Sequence, residues 1–314
     1  MVPTLDRPAA GVLTAAGRRV LDGLLTAWAA VSATFFALRL AGGDPVASLL
    51  SQGLASEDQA TALRHELGLD LPLLQQYVRF LTSLVRGDLG HSLYTGQPVT
   101  QIIREQIPYT AELAALGLIV ALVVGMLVGL LATREDLLRR FPLASGVAGL
   151  ATALPVAFTG ILAILAAIAS GTAPLLLRGF LLPALVLGFA SSGAIARLIQ
   201  AGLQDTLNAP FVLAARARGL RYGPRLLWHA LRPALPPVIS LIAVEAAFLF
   251  GGTVVTENVF SRPGLGRLLV ASILQGDYPI AQGLVVLSAL VYTATHVAAD
   301  VLSFALDPRL RGSE

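Results

Sequence analysis

Residues 203–237 read LQDTLNAPFVLAARARGLRYGPRLLWHALRPALPP, a polar interlude between long apolar runs. Arg216, Arg218, Arg221, Arg225 and Arg232 make it the densest positive cluster in the chain. Pro210 suits the first turn of a helix, where its missing N–H costs nothing. Phe211, Val212, Ala214, Ala215 and Ala217 continue that helix, and Gly219 fits just past its end. Tyr222-Gly223-Pro224 is then expected to turn the chain. A second short helix over 225–231 is expected to stop at Pro233, Pro236 and Pro237. The result is a helical hairpin, small on one face and basic on the other. Small residues let a partner approach closely, and arginines pair with carboxylates or carbonyls. An ordinary positive loop that only fixes membrane orientation is the plainer reading.

The chain around this stretch is 314 residues long, 55% hydrophobic and only 13% charged, with a net charge of +3. Its mean hydropathy is +0.75. A soluble domain of this size carries nearly twice that charge, so a membrane protein is the class that fits. Cysteine is absent, which excludes disulfides, thiol catalysis and Cys-ligated metals. All 22 positive side chains are arginine. Without a lysine there is no P-loop and no Schiff-base chemistry, so any ATP hydrolysis belongs to another subunit.

Six apolar runs are long enough to cross a core of about 30 Å. They are expected at 20–40, 111–131, 143–169 (bent at Pro155), 180–200, 238–256 and 284–306. The polar N-terminus, 1–19, and the tail, 307–314, then lie on one side. Fourteen arginines fall on that side and seven on the other, four of them in the long segment 41–108. Long segments translocate regardless of charge, so the bias puts both termini in the cytoplasm. Segment 41–108 is an external, partly amphipathic helical stretch, with Leu73, Leu74, Tyr77, Val78, Phe80, Leu81 and Leu84 at helical spacing. Arg39 falls within the first span.

The stretch Arg216-Ala217-Arg218-Gly219-Leu220, followed by His229-Ala230-Leu231-Arg232-Pro233-Ala234-Leu235-Pro236, resembles the EAA loop of ABC importer permeases in its dipeptide, oligopeptide and nickel version. The glutamate that names that loop would fall at Leu213. Other stretches resemble the same family: Gly43-Asp44-Pro45, Gly87-Asp88-Leu89-Gly90-His91-Ser92, Asn258 to Arg267, Gly276-Asp277-Tyr278-Pro279, and Asp307-Pro308-Arg309-Leu310-Arg311. The resemblance implies an all-α, six-span type I importer permease in the cell inner membrane, with a five-helix core over 109–306. It implies no enzymatic activity and no cofactor on this chain, ATP and magnesium being used by a partner. The implied partners are a homologous second permease, two ATP-binding cassette subunits, an extracytoplasmic solute-binding protein and membrane lipid, with no nucleic acid. The cargo implied is a di- or oligopeptide, or a nickel or metallophore complex. Ala214, Ala215, Arg216, Arg218, Gly219 and Leu220 are the residues it implies for coupling to the ATPase.

Ionisable groups deep in a span cost about 2.5–3.5 kcal/mol and usually face a bundle interior or cavity. Glu245, near Gly251 and Gly252 in the fifth run, is a candidate lining residue that greets a cationic solute, or else a helix–helix contact. His296 and Asp300 share a face of the sixth run and are expected to form a structural polar pair. A proton- or ion-coupled secondary transporter is the alternative class, with Glu245, His296 and Asp300 as its carriers. An intramembrane enzyme is disfavoured, since HExxH, GxSxG and a cysteine nucleophile are all missing.

Overall fold

A computed structural model describes residues 8–41, 44–51, 53, 56–133, 143–172 and 179–306. The arginines at 7, 134, 139, 140 and 178 and the 307–311 motif lie outside the described residues. Helices fill nearly all of what is described, and the sole pairing of extended backbone among those residues is an isolated bridge between His91 and Pro98. In order the helices are α1 (Pro8–Ala41), α2 (Pro45–Ser51), α3 (Glu57–Leu67), α4 (Leu73–Val85), α5 (Val99–Ala132), α6 (Leu143–Ala153), α7 (Val156–Ala169), α8 (Leu181–Leu207), α9 (Pro210–Ala217), α10 (Tyr222–Val259), α11 (Leu265–Gln275) and α12 (Tyr278–Leu306). Five of them, α1, α5, α8, α10 and α12, are long and apolar enough to cross a membrane.

Three departures from the sequence reading have physical causes. Pro155 breaks the third run into α6 and α7 rather than bending it. Leu154, as the residue before a proline, is pushed out of helical geometry. Pro108, expected to precede the second run, lies inside α5. The carbonyl it strips of a partner belongs to Arg104, an exposed residue in that turn. The prolines after the hairpin do not end a helix. Residues Arg225–Ala230 form a π turn, in which the Leu231 N–H reaches back to the Leu226 carbonyl. The wider turn takes up the strain of the prolines that follow, and α10 runs on through Pro236 and Pro237. Tyr222-Gly223-Pro224 is therefore the first turn of α10, not the hairpin's bend.

The chain divides into two compact units, one of residues 1–20, 111–261 and 294–314, the other of 21–110 and 262–293. In the first, Ala121, Ile195, Ile199, Leu203, Leu226, Ala230, Ala234 and Val238 form a buried core joining α5, α8 and α10. Lipid tails are as apolar as leucine, so hydrophobicity gives such helices little reason to meet, and close contact has to do it. Glycines supply that contact. A Cβ on Gly125 would lie 2.9 Å from the Ser192 carbonyl, and one on Gly129 2.9 Å from that of Ala196. The Gly125-x-x-x-Gly129 spacing in α5, which the sequence reading did not single out, is the signature of this seam. A side-chain hydrogen bond adds to it, with Gln200 Nε2 of α8 donating to the Ala132 carbonyl at the end of α5 at 3.3 Å.

The second unit is built on aromatics and capped helices. Phe35 stacks on Phe80 with ring centroids 5.3 Å apart, and Phe36 and Tyr77 complete the cluster. Ser32 Oγ lies 2.6 Å from the Tyr77 hydroxyl. Ser56 and Gln59 form a capping box at the start of α3. The loop 87–98 is fixed by Asp277, whose Oδ1 accepts from the Leu93 N–H at 3.3 Å and whose Oδ2 accepts from Ser92.

Candidate coupling surface and translocation residues

Helix α9 begins as the sequence requires. Ala209 is extended (φ −68°, ψ 145°) and Pro210 takes the first helical position. It ends in a paired closure: the Gly219 N–H donates to the Arg216 carbonyl at 3.0 Å, and the Leu220 N–H to that of Ala215 at 3.2 Å. Gly219 holds φ +81°, a left-handed conformation that a side chain disfavours. Val212 and Ala215, three apart, are buried and seat the helix on its own chain.

The other side of α9 is left open. Phe211 and Leu213 are 52% and 48% exposed, and Ala214, Arg216, Arg218 and Gly219 are exposed beside them. Leu220 is half-buried. Arg216, Arg218 and Arg221 have no carboxylate partner among the described residues, while Arg225 lies over the Tyr222 ring at 5.5 Å. Apolar residues at the centre with arginines at the edge make this side of α9 an exposed amphipathic face. The sequence reading found the small and basic residues but did not weigh Phe211 and Leu213. Their distance from Val212 by one position each is what places them outward.

Glu245 is half-buried in α10, within the first unit. The Ser191 hydroxyl acts on its carboxyl as a hydrogen-bonding neighbour. Yet Ser191 Oγ and Glu245 Oε2 are both buried without a bond of standard geometry. The two side chains are therefore a buried polar pair with unused hydrogen-bonding capacity. The two glycines near it differ. A Cβ on Gly252 would sit 3.0 Å from Leu187, a packing contact with α8, whereas Gly251 faces open space. His296 is half-buried in α12, and Asp300 continues that helix, but its side chain lies outside the described residues. Among the described residues no three His, Cys, Asp or Glu side chains come together as a metal site would require.

Asp277, quoted in the sequence only as part of a motif, proves to be a buried carboxyl just ahead of α12. Burial pushes its pKa above the ordinary value, against the pull of the Ser92 hydroxyl and the backbone N–H groups that donate to it.

Two family models cover nearly the whole chain. The one described as binding-protein-dependent transport system inner membrane component matches residues 121–312, and its N-terminal counterpart matches 13–114. The chain belongs to this family. It is the inner-membrane permease subunit of an ABC importer, a multi-pass membrane protein and a transport subunit rather than an enzyme. The permease is 34% identical over 301 residues to the glutathione transport system permease protein of Pectobacterium atrosepticum, covering 94% of this chain and 97% of that one. It is 31% identical over 305 residues to the dipeptide transport system permease protein of Lactococcus lactis, covering 92% and 96%. Its fold is similar to the crystal structure of an amino acid ABC transporter with histidines, at a TM-score of 0.53 and 16% identity, over 67% of this chain and 94% of that one.

Proposed function

We propose that this permease moves a peptide-class solute, released to it by an extracytoplasmic binding protein, along a path lined partly by α10. Motion is delivered through α9 from a separate ATP-hydrolysing subunit. The observation that carries this reading is the exposed Phe211–Leu213–Ala214 surface with Arg216 and Arg218 at its edge. A short helix seated by Val212 and Ala215 and closed at Gly219 is stiff enough to transmit a push. The arginine bias puts this helix on the cytoplasmic side, where ATP is. The relatives named for dipeptide and glutathione transport support a peptidic cargo. Two cassette subunits and a second, homologous permease would complete the assembly.

The experiment is co-purification from mildly solubilised membranes, comparing the native chain with an Ala214→Arg, Gly219→Arg double variant. Recovery of an ATPase with the native chain and its loss with the variant supports the reading. Equal recovery in both overturns α9 as the docking element.

A further inference from the structure

The second unit contains a small, partly enclosed cavity of about 50 Å³. Arg39, Gln282 and Tyr278 bring polar side chains to it, between walls that include Pro45, Leu67, Leu93 and Pro279. Gln282 is 7% exposed, and its Nε2 is buried with no hydrogen-bond partner. Arg39, at the end of α1, uses its Nε to donate to Gln76 Oε1 at 2.9 Å. Its guanidinium also lies over the Phe35 and Tyr278 rings. Among the described residues no carboxylate lies at ion-pair distance from it. Asp44 acts on it through space but is itself engaged: Arg64 Nη2 sits 2.6 Å from Asp44 Oδ2, and the Val46 N–H donates to Oδ1.

A buried amide N–H left unmatched is costly, and so is a half-buried cation with no carboxylate at ion-pair distance. A water could accept from both groups but would leave the charge uncompensated, whereas an acceptor carrying negative charge meets both needs at once. One water needs about 10–15 Å³, so this cavity has room for a chloride ion or one carboxylate head, but not for a peptide. We propose that Arg39 and Gln282 form a binding site for a small monovalent anion, which ties the end of α1 to α12 within this unit. The site is independent of the transport reading, since none of its residues belongs to α9 or α10.

The test is thermal unfolding of the purified full-length permease in nanodiscs, with gluconate replaced by chloride and, separately, by formate. Native protein should rise by several degrees between about 1 and about 100 mM of the bound anion, as mass action requires. Which salt acts tells a halide from a carboxylate. Gln282→Glu places a fixed carboxylate beside Arg39, so it should be as stable in gluconate as the native chain is in the active salt, and indifferent to both anions. Arg39→Gln should lose the response as well; if it fails to insert, Gln282→Glu decides alone. No response in the native chain, or the same response in Gln282→Glu, overturns the site.

Discussion

Ser92 Oγ donates to Asp277 Oδ2 at 2.5 Å across 185 positions of sequence. That bond, with the Leu93 N–H on Oδ1, is what holds the loop before α5 against the start of α12. Replacing Asp277 with Ala leaves a buried hydroxyl and an N–H without their acceptor. Asp277→Ala should destabilise by about 1–3 kcal/mol, seen as a lower unfolding midpoint.

The same carboxyl sets a pH dependence. Burial raises its folded pKa above its ordinary value of 3.8, so the folded chain binds more protons than the unfolded one in the interval between. The stability it contributes is full below the ordinary value and is lost as pH rises through the raised one. Unfolding midpoints followed from about pH 4 to about pH 7 should fall less steeply in Asp277→Asn than in the native chain. An unchanged slope would show that Asp277 does not titrate in that window.

Gly219 at φ +81° has open space around it, so only its backbone conformation resists a side chain. Gly219→Val should cost about 1–3 kcal/mol locally and tilt the end of α9 without unseating the subunit. In reconstituted complexes, transport per ATP hydrolysed should drop while membrane insertion stays normal. Unaltered stoichiometry would count against α9 as the transmitting element.

Glu245, with its Oε2 unmatched beside Ser191, is the acidic group of α10's middle. Glu245→Gln keeps the shape and removes the charge. Uptake of cationic peptides should fall relative to neutral ones of the same length. Equal loss for both, or none, would leave Glu245 as a helix contact.

The α5–α8 seam tolerates no bulk. A side chain on Gly125 meets both Ile195 and the Ser192 backbone within 3 Å. Gly125→Val should cost about 1–3 kcal/mol by overpacking and reduce the yield of folded permease on size-exclusion chromatography, while Gly251→Val, in open space, should not.

Much of this was legible in the sequence because it depends on local pattern. The apolar runs and the Pro210 start and Gly219 stop of α9 are all written within a few residues of where they act. The break at Pro155 was half-legible: a proline announces a disturbance, but whether the helix bends or parts depends on what packs around it. The passage of α10 through Pro236 and Pro237 was not legible, since a π turn has no residue signature. Nor was the cavity of Arg39 and Gln282, or the grip of Ser92 on Asp277. Those pairs are separated by 185 positions or more, and one sequence does not say which distant residues meet. The exposure of Phe211 and Leu213 was missed for the opposite reason, as apolar residues in an apolar chain draw no notice until one sees how little covers them.

The π turn at Arg225–Ala230 has a consequence for everything downstream of it. Each residue advances an α-helix by about 100°, and a π turn carries one residue more than its α equivalent. The helix beyond Leu231 is thus rotated by roughly that angle from where an uninterrupted α-helix from Tyr222 would have put it. Which way the side chain of Glu245 points is therefore set some fifteen positions earlier, by a one-residue surplus at the hairpin's foot. Deleting a single residue there, or relaxing the turn, would swing the acidic group round the helix axis without touching it. The compass bearing of α10 and the link to α9 are fixed by the same six residues.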